Sequence, residues 1–168
     1  GATRAYAVGQ ARVVADDEAA LAALADPAFD PAREVVLLAG ELQAQGLVEQ
    51  VANLNRALLD APLRVESYEP ERVALRVAMP EAGVLVLADS WDPGWQATVD
   101  GRPAAILRGN LLFRAVILPA GEHDLVFEFR PASLRTGALA SALAGVILLS
   151  LVVWSIMARR PLSGSSAS

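Results

Sequence analysis

The sequence of 168 residues contains no cysteine, no lysine and a single histidine, His123. Without thiols there is no disulfide staple, no zinc–thiolate site and no cysteine nucleophile, and one imidazole cannot build a multi-histidine metal centre. No metal and no cofactor are therefore expected. All 14 basic residues are Arg, which together with the abundant Ala points to a compositional bias of the source genome and not to a binding signal. Charge of either sign is missing from residues 136–158. All 19 acidic residues precede that run; with 11 Arg they give residues 1–134 a net charge of −8, and the remainder carries +3. A surface that acidic excludes nucleic acid as the expected partner. The chain also lacks an initiator Met and the basic and apolar regions of a signal peptide, so a piece of a longer protein is expected.

The uncharged run reads TGALASALAGVILLSLVVWSIMA and shows no polar stripe at helical period. As a helix of about 23 residues it matches the ~30 Å hydrocarbon core of a bilayer, so a transmembrane helix and a lipid bilayer partner are expected. Gly137, Ser141 and Gly145 recur every fourth residue and would form a smooth strip for close approach of other transmembrane helices of a larger protein or complex. Abundant Ala and Gly produce the same strip by chance. The Ser-rich residues 161–168 are expected as a disordered tail.

Upstream, the pattern is mixed and then becomes β. Residues 6–14 read as a strand, Asp16, Asp17 and Glu18 cap an Ala/Leu helix ending near Asp26-Pro27, and residues 34–39 read as a short buried strand. Over residues 46–60, Leu47, Val51, Leu54 and Leu58 share one helical face. From residue 63 the period is two: Val73, Leu75, Val77 and Met79 alternate with Arg72, Ala74, Arg76 and Ala78. Residues 83–88 are continuously apolar, and further alternations run through Trp95, Ala97, Val99, then Leu111, Phe113, Ala115, Ile117, then Leu125, Phe127, Phe129. Turns fall at Asp100-Gly101, Gly109-Asn110 and Pro119-Ala120-Gly121. The expected class is α+β: a mixed part over residues 1–62, an antiparallel β-sandwich-like part of the same domain over 63–131, a transmembrane helix with flanks over 132–160, and the tail.

Chemistry concentrates in DSWDPGWQATVDGRP, residues 89–103, which holds two of the three Trp. Indole faces stack on sugar C–H faces while carboxylates accept hydroxyl hydrogen bonds, so Asp89, Trp91, Asp92 and Trp95 are the candidate saccharide- or partner-binding residues. A turn at Pro93-Gly94 with Trp95 in the core accounts for the same residues without a ligand. Asp89, Asp92 and Asp100 are acids in turns, with nothing that makes them a glycosidase pair. Ser90 lacks a G-x-S-x-G context, and no phosphate loop is present. No catalytic residue is assigned.

Arg4-Ala5-Tyr6 with Val13-Val14, the segment DDEAALAALADPAFDPARE, Tyr68-Glu69-Pro70-Glu71-Arg72-Val73, residues 89–103, Phe113-Arg114-Ala115-Val116, Pro119-Ala120-Gly121-Glu122-His123 and Phe129-Arg130-Pro131 occur in order along the chain. This arrangement resembles the C-terminal end of bacterial membrane proteins of the YfhO family, which look like polyprenyl-phosphate-sugar-dependent glycosyltransferases of the GT-C type. Trp91-Asp92 departs from the family's tendency toward Tyr-Tyr before Pro-Gly-Trp, and residues 42–60 match its pattern poorly. The family's amino-terminal helix bundle, where donor-binding and catalytic acids would be expected, has no counterpart here, so no catalytic role carries over. The resemblance implies a noncatalytic extracytoplasmic module acting in cell-envelope glycan or lipid-linked sugar transfer, with Arg159-Arg160 on the cytoplasmic side of the membrane. The alternative is a membrane-anchored β-sandwich module that binds a saccharide or an envelope protein.

Overall fold

Alternation along residues 72–79 produces an interior strand of the larger sheet. In the computed structural model, which describes residues 4–54 and 59–130 and positions 147, 148, 150 and 154, β5 (Arg72–Met79) buries Val73, Leu75, Val77 and Met79. The chain divides into Gly1–Arg130 and Pro131–Ser168, and among the described residues the strands lie in the first unit.

Strand β11 (Gly121–Phe129) runs antiparallel to β5, with Leu125 opposite Leu75 and Phe127 opposite Val73. On its other side β7 (Trp95–Val99) sets Ala97 opposite Phe127. The short β8 (Arg102–Ala104) and the longer β4 (Leu63–Glu69) form the edges, giving the order β4-β5-β11-β7-β8. Asp100 and Gly101 join β7 to β8 with φ of 52° and 75°, the left-handed pair that a tight hairpin turn needs.

A second antiparallel sheet has the order β1-β6-β10-β9, from β1 (Ala5–Val8), β6 (Gly83–Ser90), β9 (Leu107–Gly109) and β10 (Phe113–Leu118). Ala5, Leu85, Leu87, Val116 and Leu118 from this sheet share one apolar core with Val73, Leu75, Val77, Leu125 and Phe127 from the other, so the two pack face to face. The opposite face of the smaller sheet is also covered: Val8, Val84, Val86 and Ala115 pack on Val35 and Leu37 of β3 (Glu34–Leu38) and on Leu42 and Val51. Residues 83–87 are therefore buried on both faces, which explains a strand that is apolar without alternation.

The covering layer is a small βαβ unit. Strand β2 (Gln10–Val14) pairs parallel with β3, and α1 (Asp17–Ala25) crosses between them, laying Ala20 and Ala23 on Val36 and Leu38. Asp16 caps α1 by accepting a hydrogen bond from the Ala19 amide at 2.9 Å. Residues 6–14, expected as one strand, instead serve two sheets, with the break at Gly9.

Of the helix expected over residues 46–60, the described residues show one short piece, which ends at Asn53. Helix α2 (Ala39–Gln45) starts earlier and ends at Gly46 (φ 68°), whose amide donates to the Gln43 carbonyl while Leu47 donates to Leu42. This pair of bonds is a Schellman stop, and the chain restarts as α3 (Val48–Ala52).

The expected α+β class with a membrane helix is corrected by these observations. The protein is mostly antiparallel β with few helices, and among the described residues no helix is long and apolar enough to cross a membrane. Among the described residues of the domain the longest helix, α1, has nine residues, about 14 Å of rise against a ~30 Å hydrocarbon core. The run at 136–158, on which the membrane helix was expected, lies outside the described residues except at 147, 148, 150 and 154.

Candidate functional site

The segment joining β6 to β7 is held from three sides. The Asp92 carboxylate accepts from the Gly94 amide at 2.7 Å and the Asp92 carbonyl from the Trp95 amide at 3.1 Å, closing the turn on itself. The Trp91 amide donates to the Leu112 carbonyl and the Arg130 amide to the Gly94 carbonyl, both at 2.7 Å. Gly94 is required at this crossing, because a Cβ there would lie 2.6 Å from the Phe129 ring and 3.0 Å from Asp92.

Trp95 is half-buried, with its ring tilted 52° to Phe129 at a centroid separation of 5.4 Å. The Arg114 guanidinium lies 3.8 Å from the Trp95 ring centre and 5.6 Å from that of Phe127. Arg114 is only 3% exposed, and its Nε and Nη1 have no hydrogen-bond partner, so the two π faces are what they meet. Burial pushes the Arg114 pKa below its ordinary value, opposed by the charge of Asp89. Nη2 reaches Asp89 at 3.2 Å, and Asp89 also accepts from the Tyr68 hydroxyl at 2.8 Å.

Trp91 is half-buried and faces a second guanidinium, that of Arg108, 5.5 Å from its ring centre. Arg108 is fixed by Glu41, which accepts from both its Nε and its backbone amide, and by Asp17 at 3.5 Å. The hydrogen bond from Arg108 to Glu41 holds the guanidinium above its ordinary pKa.

Trp91, Asp92, Pro93 and Trp95 line an open pocket of about 720 Å³, together with Gln45, Gln96, Thr98, Arg72, Glu128 and Arg130. Of the four residues proposed from sequence, Trp91, Asp92 and Trp95 thus converge, whereas Asp89 is drawn away as counter-ion to Arg114 and does not line the pocket. Asp100 is likewise engaged elsewhere: it faces His123 Nδ1 at 2.8 Å and accepts from the Asp124 amide at 2.9 Å. Gly137, Ser141 and Gly145 lie outside the described residues. Among the described residues no group of three or more His, Cys, Asp or Glu could hold a metal ion.

Two members of the site escaped the sequence reading. Arg114 shares the parity of Val116 and Leu118, the core-facing residues of β10, so an Arg at a core-facing position was the available signal. Gln45 comes from α2, some 50 positions away in sequence from the turn, and nothing local marks it.

Fold and pocket together define a β-sandwich domain that carries a tryptophan-lined, mixed-polarity cleft at one end. The family described as bacterial membrane protein YfhO matches residues 42–141, well over half of the chain, and the chain belongs to it. The matched stretch includes both indoles, Arg114 and Asp89. The protein is accordingly a membrane-associated member of that family. No curated protein and no solved structure matches the chain.

Proposed function

We propose that the domain is a noncatalytic extracytoplasmic module that binds saccharide in cell-envelope glycan or lipid-linked sugar transfer. The observation that carries this reading is the convergence of Trp91, Trp95 and Asp92 on one open pocket of about 720 Å³. Two indoles supply apolar faces for the C–H surface of a sugar ring. Asp92, Gln45, Gln96 and Thr98 supply hydroxyl-directed donors and acceptors around them, the mix of a broad apolar surface and few polar groups that recognition pockets use. Each ring is backed by an Arg that is itself anchored, Arg114 behind Trp95 and Arg108 beside Trp91, so little side-chain entropy remains to be lost on binding.

Titration of the full chain in detergent with a panel of mono- and oligosaccharides, followed by tryptophan fluorescence, tests the reading. Saturable binding that weakens at least about tenfold in Trp91→Ala, on the order of 1.4 kcal/mol, is expected. Binding of equal strength in Trp91→Ala, or no binding across the panel, would remove the pocket from this role. Sugar release on the same panel would overturn its noncatalytic character.

A further inference from the structure

We propose that the end of the domain built from the turn at residues 91–94 and the turn at Asn110, Leu111 and Leu112 is a contact surface for the lipid bilayer. Leu112 is 67% exposed, more than any other large apolar side chain described in the first unit. Its exposure is imposed by the backbone. Asn110 and Leu111 adopt φ of 50° and 65°, a left-handed pair without glycine that disfavours an ordinary side chain such as Leu. Asn110 holds this conformation through the β3 backbone: its Oδ1 accepts from the Val36 amide at 2.8 Å and its amide donates to the Val36 carbonyl at 2.9 Å. Leu111 packs beside Ala20, Ala23 and Val36, and Leu112 is thereby presented to the outside.

Three features meet at this end. The Leu112 carbonyl is bonded to the Trp91 amide, exposed Pro93 follows two residues later, and the Gly94 carbonyl is bonded to the Arg130 amide, the last described residue of the domain. Six residues after Arg130 the sequence enters its uncharged apolar run. A tryptophan beside exposed leucine and proline is the composition that settles at a headgroup boundary. The chain leaves the described domain at this end, in a protein of a membrane family, and its most apolar segment follows in sequence. Charge does not supply the attraction, since Asp92 and Glu128 stand beside Arg130 and residues 1–134 carry −8. The contact is therefore apolar and insensitive to salt. The saccharide reading is not required for it.

The absence of cysteine allows single-site labelling of the full chain. Leu112→Cys and Pro93→Cys report on the proposed surface. Ala120→Cys, on the exposed turn before Gly121, reports on the opposite end of β11, about 27 Å away. Each variant carries a bimane label and is reconstituted into vesicles of phosphatidylethanolamine and phosphatidylglycerol containing headgroup-nitroxide lipid. Severalfold stronger quenching at 112 and 93 than at 120, unchanged when ionic strength is raised, is expected. Equal quenching at the two ends, stronger quenching at 120, quenching at 112 and 93 that disappears in high salt, or a chain that does not associate with the vesicles overturns the proposal.

Discussion

Arg114 places its guanidinium carbon 3.8 Å from the centre of the Trp95 ring while its Nη2 pairs with the Asp89 carboxylate at 3.2 Å. A buried cation is thus shared between one carboxylate and two aromatic faces, and the two members of the ion pair are not equivalent. Asp89→Ala leaves the guanidinium buried without a counter-charge, which costs about 3 kcal/mol or more. Arg114→Met removes the charge and keeps much of the volume, and the half-buried Asp89 retains Tyr68, so the loss is smaller, about 1 kcal/mol. Urea unfolding midpoints at constant slope give the comparison. An Arg114→Met variant less stable than Asp89→Ala would show that ring stacking, and not ion pairing, dominates.

Gly94 and Gly101 are irreplaceable for different reasons. A Cβ at Gly94 meets the Phe129 ring at 2.6 Å, so Gly94→Ala forces Phe129 away from Trp95 and costs about 1–3 kcal/mol. Around Gly101 there is open space, but φ of 75° costs an alanine about 1–2 kcal/mol through the backbone alone. The tryptophan fluorescence of Gly94→Ala should change with the displaced ring, whereas that of Gly101→Ala should match the parent. Equal spectral changes in both would contradict this division.

The sheets were legible where one force set the pattern. Period-two alternation located β5, β7 and β11, and the Asp100-Gly101 turn declared its hairpin because left-handed φ values select such residues. The helix over residues 46–60 was legible only in its first turns, because α3 is capped at Asn53, whose amide bonds back to the Val51 carbonyl, and a periodic apolar stripe does not mark such a stop. In the site, the two Trp and Asp92 were visible as a cluster of side chains suited to stacking and hydrogen bonding. The role of Asp89 was not visible, since it depends on β10 bringing Arg114 beside β6, a register of strands far apart in sequence.

Acid should loosen this domain through three aspartates held below their ordinary pKa. Asp26 is lowered by the Ala28 amide and by Arg12, Asp100 by His123 and the Asp124 amide, and Asp124 by Arg76. A carboxyl whose folded pKa is depressed contributes stability that is present above the unfolded value, about pH 4, and is lost as pH falls through the folded value. Unfolding free energy should therefore decline as pH drops below about 4, with Asp100→Asn and Asp124→Asn each giving a shallower decline. Stability curves of these variants parallel to that of the parent between pH 2 and 5 would exclude the contribution.

Trp91 and Trp95 line the same pocket but carry different loads. Trp95 belongs to the rim of the sandwich core and covers Arg114, so Trp95→Ala removes packing against Phe129 and bares one face of a buried cation, a cost of about 3 kcal/mol or more. Trp91 contributes its amide to Leu112, which any residue can do, and its ring meets an Arg already held by Glu41 and Asp17. Trp91→Ala should then cost no more than about 1 kcal/mol. Saccharide affinity should fall in both variants, but only Trp91→Ala should lose it at nearly unchanged stability, and denaturant unfolding run beside the sugar titration separates the two. If Trp91→Ala is as destabilised as Trp95→Ala, then Trp91 is a structural element of the turn and its place in the pocket is incidental.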